Sequence, residues 1–327
     1  MKIATFNVNS IRSRITAISN WLAENKPDIL CLQETKVQDQ DFPMAEITAT
    51  GYQVIFRGEK SYNGVAILSK AKPANVRFGL DDGLSPDETR LIAARFGLVQ
   101  VVNTYVPQGH AIEHEMYQYK LQWFERLREW FERHFTPKTL LAWVGDLNVA
   151  PEAKDIHNAD QQANHVCYHQ AVRNAFARTK AWGFVDVFRK YHPEGGQYTF
   201  FDYRTANAVK RNMGWRVDHI LATLPLANKS RDSYIDWPRV SSPRPRTIPC
   251  WWRNLRCRCG SPPDRRRLKT GALPRHWHGN AQYDKMKKPS VMRADCHSRP
   301  DSPRRSLRRS LGRESGNINT GFPLSRE

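Results

Sequence analysis

The stretch that most constrains this chain is an apolar segment that ends in two polar residues. Residues 140–144 read Leu-Leu-Ala-Trp-Val, and residues 145–151 read Gly-Asp-Leu-Asn-Val-Ala-Pro. An apolar run of this length predicts a buried strand, and the proline predicts its end. Side chains alternate across a strand, so we expect Asp146 and Asn148 to face the same side at its carboxyl end.

Two interpretations of this strand end are open. An Asx turn would close the strand without any chemistry. Alternatively, a carboxylate beside a carboxamide could hold a hard cation, activate a water molecule or bind a phosphate. The second interpretation is favoured because other predicted strands place polar side chains at or near their ends, namely at Asn7, Glu34, Tyr105 and Asp218. Each of these alone fits a turn former, a loop cap, a half-buried aromatic or a surface carboxylate. Together they predict a crevice at one edge of a sheet that could hold a cation and a phosphate.

The order of the predicted elements indicates an α/β fold. A strand over 2–8, a helix that begins near Ile11 and ends before Pro27, and a strand over 28–34 form a crossover unit. Later strands have alternating or hairpin character, which predicts a mixed sheet. They are expected at 52–57, 64–69, 90–96, 99–106, 197–203, 215–223 and 233–237, with helices at 113–135 and 166–182. The stripe Tyr117, Leu121, Phe124, Leu127 and Phe131 is expected to face the core.

The positive charge is concentrated in one part of the chain. The formal net charge is +19 over 327 residues. Residues 238–327 hold 22 Lys and Arg against 6 Asp and Glu, a net of +16, whereas residues 1–237 hold 29 against 26, a net of +3. The basic composition is therefore no guide to what the first 237 residues bind.

The first part of the chain has the composition of a soluble intracellular protein. Its two widely spaced cysteines, Cys31 and Cys167, predict reduced thiols. The chain opens directly with a strand, without a signal peptide, and no apolar run approaches the length of a membrane span. We expect a cytoplasmic protein with no membrane association.

Five blocks of sequence, in this order, resemble the endonuclease/exonuclease/phosphatase superfamily. They lie at 3–12, 32–36, 103–109, 145–151 and 212–218. Within the superfamily they are most similar to the exonuclease III group of apurinic/apyrimidinic endonucleases. The resemblance implies an α/β fold, a four-layered sandwich of two mixed β-sheets flanked by helices, with Mg²⁺ or Mn²⁺ bound at one end.

The resemblance also implies roles for residues of the predicted crevice. Glu34 would be the main metal ligand, with Asn7 hydrogen-bonded nearby. Asp146 would position or deprotonate the attacking water, and Asn148 would orient it and contact the phosphate. Tyr105 would donate to a phosphate oxygen. This set suits phosphodiester hydrolysis, in which a cation neutralises developing charge and a carboxylate aligns the nucleophile.

Further residues are implied at the substrate. Arg90 and Lys120 would contact the DNA backbone or act structurally, with a solvated face as the alternative. Trp215 and the aromatics of 198–203 would wedge against an abasic or terminal nucleotide, or belong to the core. Asp218 would orient a catalytic histidine. The implied activities are 3′–5′ exonuclease action on duplex DNA and incision 5′ to abasic sites, leaving a 3′-hydroxyl, by a monomer.

One part of the family pattern is missing. The family ends with a strand preceded by Ser-Asp-His, and no Asp-His pair follows residue 219 here. We therefore expect a nuclease domain over 1–237 without its final strand, low stability and impaired activity, followed by a disordered basic tail over 238–327. We hypothesise a changed reading frame, because codons for residues 244–248 exist that read Asp-His-Ala-Pro one base later. The nucleotide sequence tests this hypothesis.

Other interpretations of the tail and of the whole chain are weighed against this one. The arginines could form a nucleic-acid-binding arm, and a zinc site could be drawn from Cys250, Cys257, Cys259, His276, His278, Cys296 and His297, although their spacing matches no standard site. The chain could also be a non-catalytic nucleic-acid-binding protein, or a phosphoesterase of the same superfamily acting on small phosphates or lipids.

Overall fold

The computed structural model describes residues 1–84, 87–202, 204–236 and 286–295. The α-helices are α1 (Ile11–Asn25), α2 (Met44–Thr48), α3 (Glu115–His134), α4 (Gln170–Ala181), α5 (Val187–Tyr191) and α6 (Leu224–Ala227). The first eight strands are β1 (Lys2–Asn7), β2 (Ile29–Gln33), β3 (Gln53–Arg57), β4 (Val65–Ser69), β5 (Ala74–Phe78), β6 (Leu91–Phe96), β7 (Val99–Tyr105) and β8 (Leu141–Asp146). The others are β9 (Phe184–Asp186), β10 (Phe200–Phe201), β11 (Gly214–Trp215), β12 (Asp218–Thr223), β13 (Ser230–Ile235), β14 (Met286–Lys287) and β15 (Ser290–Ala294).

Within the described residues the strands form two six-stranded sheets and one of three strands. The first large sheet has the order β13-β15-β1-β2-β4-β3, and the second has the order β5-β6-β7-β8-β12-β9. In each large sheet one neighbouring pair is parallel, β1 with β2 and β7 with β8, and the other pairs are antiparallel. Both sheets are therefore mixed, as expected.

The two large sheets pack face to face around an aliphatic core. Ile3 and Ile67 of the first sheet belong to the same buried cluster as Val101, Val144 and Ile220 of the second. Because side chains alternate along a strand, the remaining residues of each strand face outward and need a second covering layer.

Helices supply those covering layers. Trp21 of α1 packs on the outer face of the first sheet with Leu30 and Leu68. On the second sheet, Phe124 and Phe131 of α3 belong to a cluster with Trp143, Phe176 and Leu221. This arrangement confirms the four-layered sandwich. It also confirms that the aromatic stripe of α3 faces the core, with Leu121 only partly buried.

Some elements differ from the sequence prediction. Strand β5 was not predicted, because its side chains are largely exposed and carry no apolar alternation. The strand expected at 215–223 is divided into β11 and β12, because the chain passes from the small sheet to the second large sheet at Arg216. The strand expected at 197–203 is confined to β10.

The edge of β1 that faces away from β2 is covered by a segment of the predicted tail. Strand β15 pairs antiparallel with β1, from Lys2 opposite Arg293 to Thr5 opposite Ser290, and its other side pairs with β13. Val291 and Met292 are fully buried there. Residues 286–295 thus differ from the tail expected over 238–327: paired backbone groups and buried apolar side chains make a strand of this segment in the tertiary structure.

Several predictions concern residues outside the described ranges. The changed reading frame at 244–248, the zinc candidates and most of the basic arm fall within 238–285 or 296–327. The domain boundary at 237 stays a prediction. Among the described helices, none has both the length and the apolar composition that crossing a membrane requires.

Candidate active site

The predicted polar residues converge because four strands end, and a fifth begins, at the same sheet edge. Asn7 is the last residue of β1, Tyr105 of β7 and Asp146 of β8, and Glu34 directly follows β2. Since β1 and β2 are parallel, as are β7 and β8, each pair brings its carboxyl ends to one edge. Asp218 begins β12, which runs antiparallel to β8, and it lies directly opposite Asp146.

Asn7 joins the two sheets at this edge. Its side-chain Nδ2 donates to Oε1 of Glu34 at 2.7 Å and to Oδ2 of Asp146 at 2.8 Å. Its Oδ1 accepts from the backbone N–H of Asn9 at 3.0 Å, which fixes the orientation of the carboxamide. One neutral amide therefore holds a carboxylate from each sheet, and both carboxylates are buried. Residues 139 positions apart in sequence become neighbours in this way.

Glu34 is held in an uncommon backbone conformation. Its φ of 53° lies in the left-handed region, which few residues other than glycine adopt, and its exposed fraction is 8%. Lys36 places its Nζ 2.8 Å from Oε2 of Glu34. The sequence prediction did not assign a role to Lys36, although it lies in the same block as Glu34.

Asp146 and Asn148 do approach each other, but strand alternation is not the reason. Strand β8 ends at Asp146, and Asn148 has a left-handed φ of 48°. The turn brings Nδ2 of Asn148 to 3.4 Å from Oδ2 of Asp146, while the backbone N–H of Asn148 donates to Oδ1 at 3.2 Å. The preceding Gly145 has φ 139°, and a Cβ there would lie 2.0 Å from the Thr104 carbonyl oxygen. Only glycine allows the strands to approach this closely.

Tyr105 presents a protonated hydroxyl to the cluster. Burial raises its pKa well above the usual value, and the negative charges of Glu34 and Asp146 add to this, with Arg90 opposing them. A hydrogen bond with Glu34 raises it further. The guanidinium of Arg90 lies 5.1 Å from the centre of the Tyr105 ring and donates to the Tyr105 carbonyl at 3.3 Å. Arg90 therefore contacts Tyr105, and it is half-buried beside the site.

An aromatic cluster surrounds Trp215. The ring of Trp215 stacks with that of Phe200 at 5.4 Å and with that of His157 at 5.9 Å, and His165 approaches it at 4.3 Å. Trp215 is half-buried, so one part of the ring system faces solvent. The backbone N–H groups of residues 217 and 218 both donate to the Thr199 hydroxyl, which fixes the start of β12 beside this cluster.

Lys120 is fully buried and therefore cannot contact a DNA backbone directly. The prediction that it does so is wrong. The exposed fraction of Lys120 is 0%, and its Nζ donates to the carbonyl oxygens of Asn148 at 2.7 Å, Val166 at 2.8 Å and Gln108 at 3.2 Å. Burial lowers the pKa of Lys120, while Cys167 and Asp146 act in the opposite direction. The alternative prediction, that Lys120 has a structural role, is supported because its side chain joins three loops beneath the site.

A buried ionic network behind the site was not predicted. Arg216, with an exposed fraction of 1%, donates from Nε to Asp155 at 2.6 Å and from NH2 to Asp186 at 2.7 Å. Burial acts to raise the pKa values of both carboxyl groups, but the charge of Arg216 outweighs it and lowers the pKa of Asp155 to about 2. Burial, reinforced by Arg216, lowers the pKa of His219 to about 4. The only feature of the sequence that could have indicated this network is that Arg216 and His219 lie close to Asp218, the last residue of the block at 212–218.

The oxygen atoms at the sheet edge fit a hard divalent cation. Among the described residues, no group of three or more His, Cys, Asp and Glu side chains is arranged to hold a metal. The donors here are instead the carboxylate oxygens of Glu34 and Asp146, both of which accept from the Asn7 amide, and carboxylates are the ligand class that Mg²⁺ and Mn²⁺ prefer. The chemistry of the donor set therefore suits the expected metal.

Comparison with known proteins places the site in a family. The model of the Endonuclease/Exonuclease/phosphatase family matches residues 4–258, which include every residue of the site described above. This chain belongs to that family. The membership confirms the resemblance that the five sequence blocks indicated.

Individual relatives in the endonuclease/exonuclease/phosphatase family are nucleases. An exodeoxyribonuclease of Bacillus subtilis is 33% identical over 240 residues, covering 72% of this chain and 93% of the relative. The structure of an AP endonuclease from Archaeoglobus fulgidus has a TM-score of 0.75 and 44% identity, covering 90% of this chain and 99% of that one. A 3′–5′ exonuclease from Neisseria meningitidis has a TM-score of 0.73 and 31% identity, covering 90% and 100%.

Proposed function

We propose that this chain is a DNA repair nuclease of the exonuclease III type. It would hydrolyse phosphodiester bonds in duplex DNA, removing nucleotides from 3′ ends and cutting 5′ to abasic sites to leave a 3′-hydroxyl. The observation that carries the proposal is the contact of Asn7 with both Glu34 and Asp146, which joins the two sheets at one polar centre. The exonuclease and AP endonuclease relatives support the substrate class.

The side chains of this centre have complementary roles in the proposed reaction. Asp146 accepts a proton from the attacking water, or orients it, and the carboxamide of Asn148 directs that water and contacts the phosphate. The raised pKa of Tyr105 keeps its hydroxyl protonated, so it can donate to a phosphate oxygen as negative charge develops there. Each contribution of this kind is typically worth a factor of about 10² or more in rate.

Glu34 would hold the metal ion, with Asn7 orienting its carboxylate. When bound, Mg²⁺ or Mn²⁺ neutralises charge on the phosphate and favours attack by an oxygen nucleophile. Lys36, whose Nζ lies 2.8 Å from Oε2 of Glu34, helps to hold that carboxylate in place. The residue types and their hydrogen bonds support this assignment.

The aromatic cluster and the basic loop beside it suit a damaged duplex. Trp215 with Phe200 offers an apolar surface for an abasic sugar or a terminal nucleotide. Arg204, Lys210 and Arg211 are exposed on the adjacent loop, where they can contact phosphates on either side. Arg90 would act indirectly by holding Tyr105.

We propose further that turnover is low. The family pattern closes the site with an Asp-His pair beyond Asp218, and no such pair follows residue 219 in this sequence. Loss of a group that stabilises the transition state costs a factor of about 10² to 10⁴. Assayed in parallel, the chain is expected to turn over at least about 10²-fold more slowly than the Bacillus subtilis exodeoxyribonuclease, and equal rates would contradict this part of the proposal.

The proposed function is tested on a duplex with a single abasic site. Incision is measured with Mg²⁺ and with a chelator, for the full chain, for Asp146→Ala and for Glu129→Ala, which removes an exposed carboxylate from the outer side of α3. Metal-dependent incision that is lost in Asp146→Ala and kept in Glu129→Ala supports the proposal. DNA binding without incision in all three proteins contradicts it and favours the non-catalytic binding protein. Cleavage of small phosphate esters but not of DNA would favour the phosphoesterase.

We also propose that the nuclease acts as a cytoplasmic monomer. Both cysteines of the described residues, Cys31 and Cys167, are buried free thiols, which suits a reducing compartment. Size-exclusion chromatography with light scattering measures the mass in solution, and a dimer would overturn the monomer.

A further inference from the structure

The turn that carries Asn148 is held both by the Asp146 carboxylate within it and by atoms outside it. Within residues 146–150, the N–H of Leu147 donates to the Val217 carbonyl at 2.9 Å, and the N–H of Ala150 donates to the Cys167 carbonyl at 2.7 Å. The carboxamide of Asn148 donates to the Val106 carbonyl at 2.9 Å. Because the left-handed φ of Asn148 costs energy for a side-chain-bearing residue, the surroundings must stabilise it.

Two buried side chains bind the two successive carbonyl groups of this turn. Lys120 of α3 donates from Nζ to the Asn148 carbonyl at 2.7 Å. On β12, the Nε2 of His219 lies 2.8 Å from the Val149 carbonyl. Both residues are buried, with exposed fractions of 0% and 1%. We call this pair of residues the carbonyl clamp.

The hydrogen bonds of His219 fix the position of its proton. Its Nδ1 lies 3.0 Å from NH1 of Arg216, and a guanidinium can only donate, so Nδ1 must accept. The ring proton is therefore on Nε2, which donates to Val149. Asp155 and Asp186 in turn hold Arg216 in place. The ionic network therefore determines that His219 donates from Nε2 and not from Nδ1.

Lys120 is similarly restricted to one arrangement. Its Nζ is shared between the carbonyls of Asn148, Val166 and Gln108, which uses all three ammonium hydrogens. Gly109 leaves space for this side chain, because a Cβ there would come within 3.3 Å of the Lys120 Cδ. Burying an ammonium group that hydrogen-bonds only carbonyl oxygens costs free energy. Because one of these oxygens belongs to Asn148, we infer that Lys120 is buried here to stabilise the turn.

We propose that Lys120 and His219 are positioning residues that hold Asn148 in its left-handed conformation, and thereby direct its carboxamide toward Asp146 and the substrate phosphate. This inference rests on the proposed function, because the orientation of Asn148 matters only if its carboxamide directs the attacking water and contacts the phosphate. It replaces the role of Lys120 as a DNA contact, and it gives His219 a role that its sequence position beside Asp218 did not reveal.

The clamp is tested by removing each donor and measuring steady-state kinetics on the abasic duplex. Lys120→Met and His219→Phe are each expected to lower kcat by about 10 to 100-fold, the cost of misplacing a reacting group by about 1 Å, with KM changed less than about twofold. His219→Gln, which retains a side-chain N–H, recovers part of the loss. In the double variant the loss is smaller than the product of the two single losses, because both act on one turn.

A matched control separates positioning from general damage. Thr179→Val removes a buried hydroxyl that donates to the Phe124 carbonyl of α3 at 3.0 Å, away from the site. It is expected to lower the urea midpoint as the clamp variants do, while kcat is unchanged. If Thr179→Val lowers kcat as much as the clamp variants at equal stability, the positioning role is overturned.

A second readout does not depend on activity. Amide hydrogen exchange of residues 147–150 is expected to accelerate at least about tenfold in Lys120→Met and His219→Phe, and to stay unchanged in Thr179→Val. Unchanged exchange in folded clamp variants would overturn the inference even if the chain is an active nuclease. Faster exchange in a chain that shows no incision at all would leave the clamp standing and reject the proposed function instead.

Discussion

At the scale of single residues, the hydroxyl of Tyr105 gives a direct test of the site. Tyr105→Phe keeps the ring that Arg90 contacts and removes only the O–H group, so we expect kcat to fall about 10 to 100-fold with little change in folding. The matched control is Tyr119→Phe, which removes a hydroxyl that hydrogen-bonds Asp87 rather than a residue of the site. Single-turnover incision rates of the two variants are compared with that of the parent chain. Equal losses of rate in both variants would show that the Tyr105 hydroxyl has no specific role in the reaction.

Arg216 is expected to stabilise the fold through its two buried ion pairs. Replacing it by Met leaves Asp155 and Asp186 buried without their shared partner, so we expect the free energy of unfolding to fall by about 3–5 kcal/mol. Arg231→Met, which removes an exposed ion pair with Asp295, should change it by less than about 0.5 kcal/mol. Urea titration measures both. A small effect at Arg216 would mean that the carboxylates are protonated or solvated in the folded protein.

At the scale of elements, β15 is the strand on which the first sheet depends. Its two edges pair with β1 and β13, and Met292 is fully buried between layers. Met292→Asp buries a charge without a partner, so we expect a loss of about 4 kcal/mol or more, or failure to fold. Arg293→Gln, one residue further on the exposed face, should be neutral within about 0.5 kcal/mol.

The urea midpoints of these two strand variants also test whether residues 290–294 complete the sheet in solution. Equal midpoints for both variants and the parent chain would show that the segment does not pair with β1. The low stability expected from a changed reading frame would then apply again, since the edge of β1 would be left without a partner.

At the scale of the whole molecule, stability is expected to depend on pH through buried histidine. The pKa of His219 is lowered from 6.5 to about 4 by burial and by Arg216, so the unfolded chain binds the proton more readily. Stability is therefore fully present above pH 6.5 and falls as the pH decreases from 6.5 to 4, by of order 3 kcal/mol for this group. His165, whose pKa burial lowers to about 4, contributes in the same direction.

Urea unfolding measured at several pH values between 7 and 2 checks this dependence. His219→Gln cannot titrate, so its stability should decline less over the same window. Below the usual pKa of 3.8, loss of the Asp155 charge reduces stability further, because its folded pKa is about 2. A parent chain and a His219→Gln variant with identical pH profiles would exclude His219 as the cause.

Much of the fold could be predicted because its elements carry local patterns. Strands β1, β2, β7 and β8 are apolar runs that end in polar residues, and α3 has a clear apolar face. Strand β5 is exposed, and β15 reads Ser-Val-Met-Arg-Ala without apolar alternation, so neither has a pattern that distinguishes it from a loop. Their place in the sheets depends on partners far away in the sequence.

The sequence by itself determined the residue types of the site and the strand ends on which they lie, because apolar periodicity and strand-ending residues are local properties. It indicated Asn7, Glu34 and Asp146 as members of one crevice. Only the tertiary structure decided how they meet, since one amide of Asn7 binds carboxylates from two different sheets. It also decided that Lys120 lies beneath the site rather than on its surface, because burial is a property of the packed layers and not of the residue.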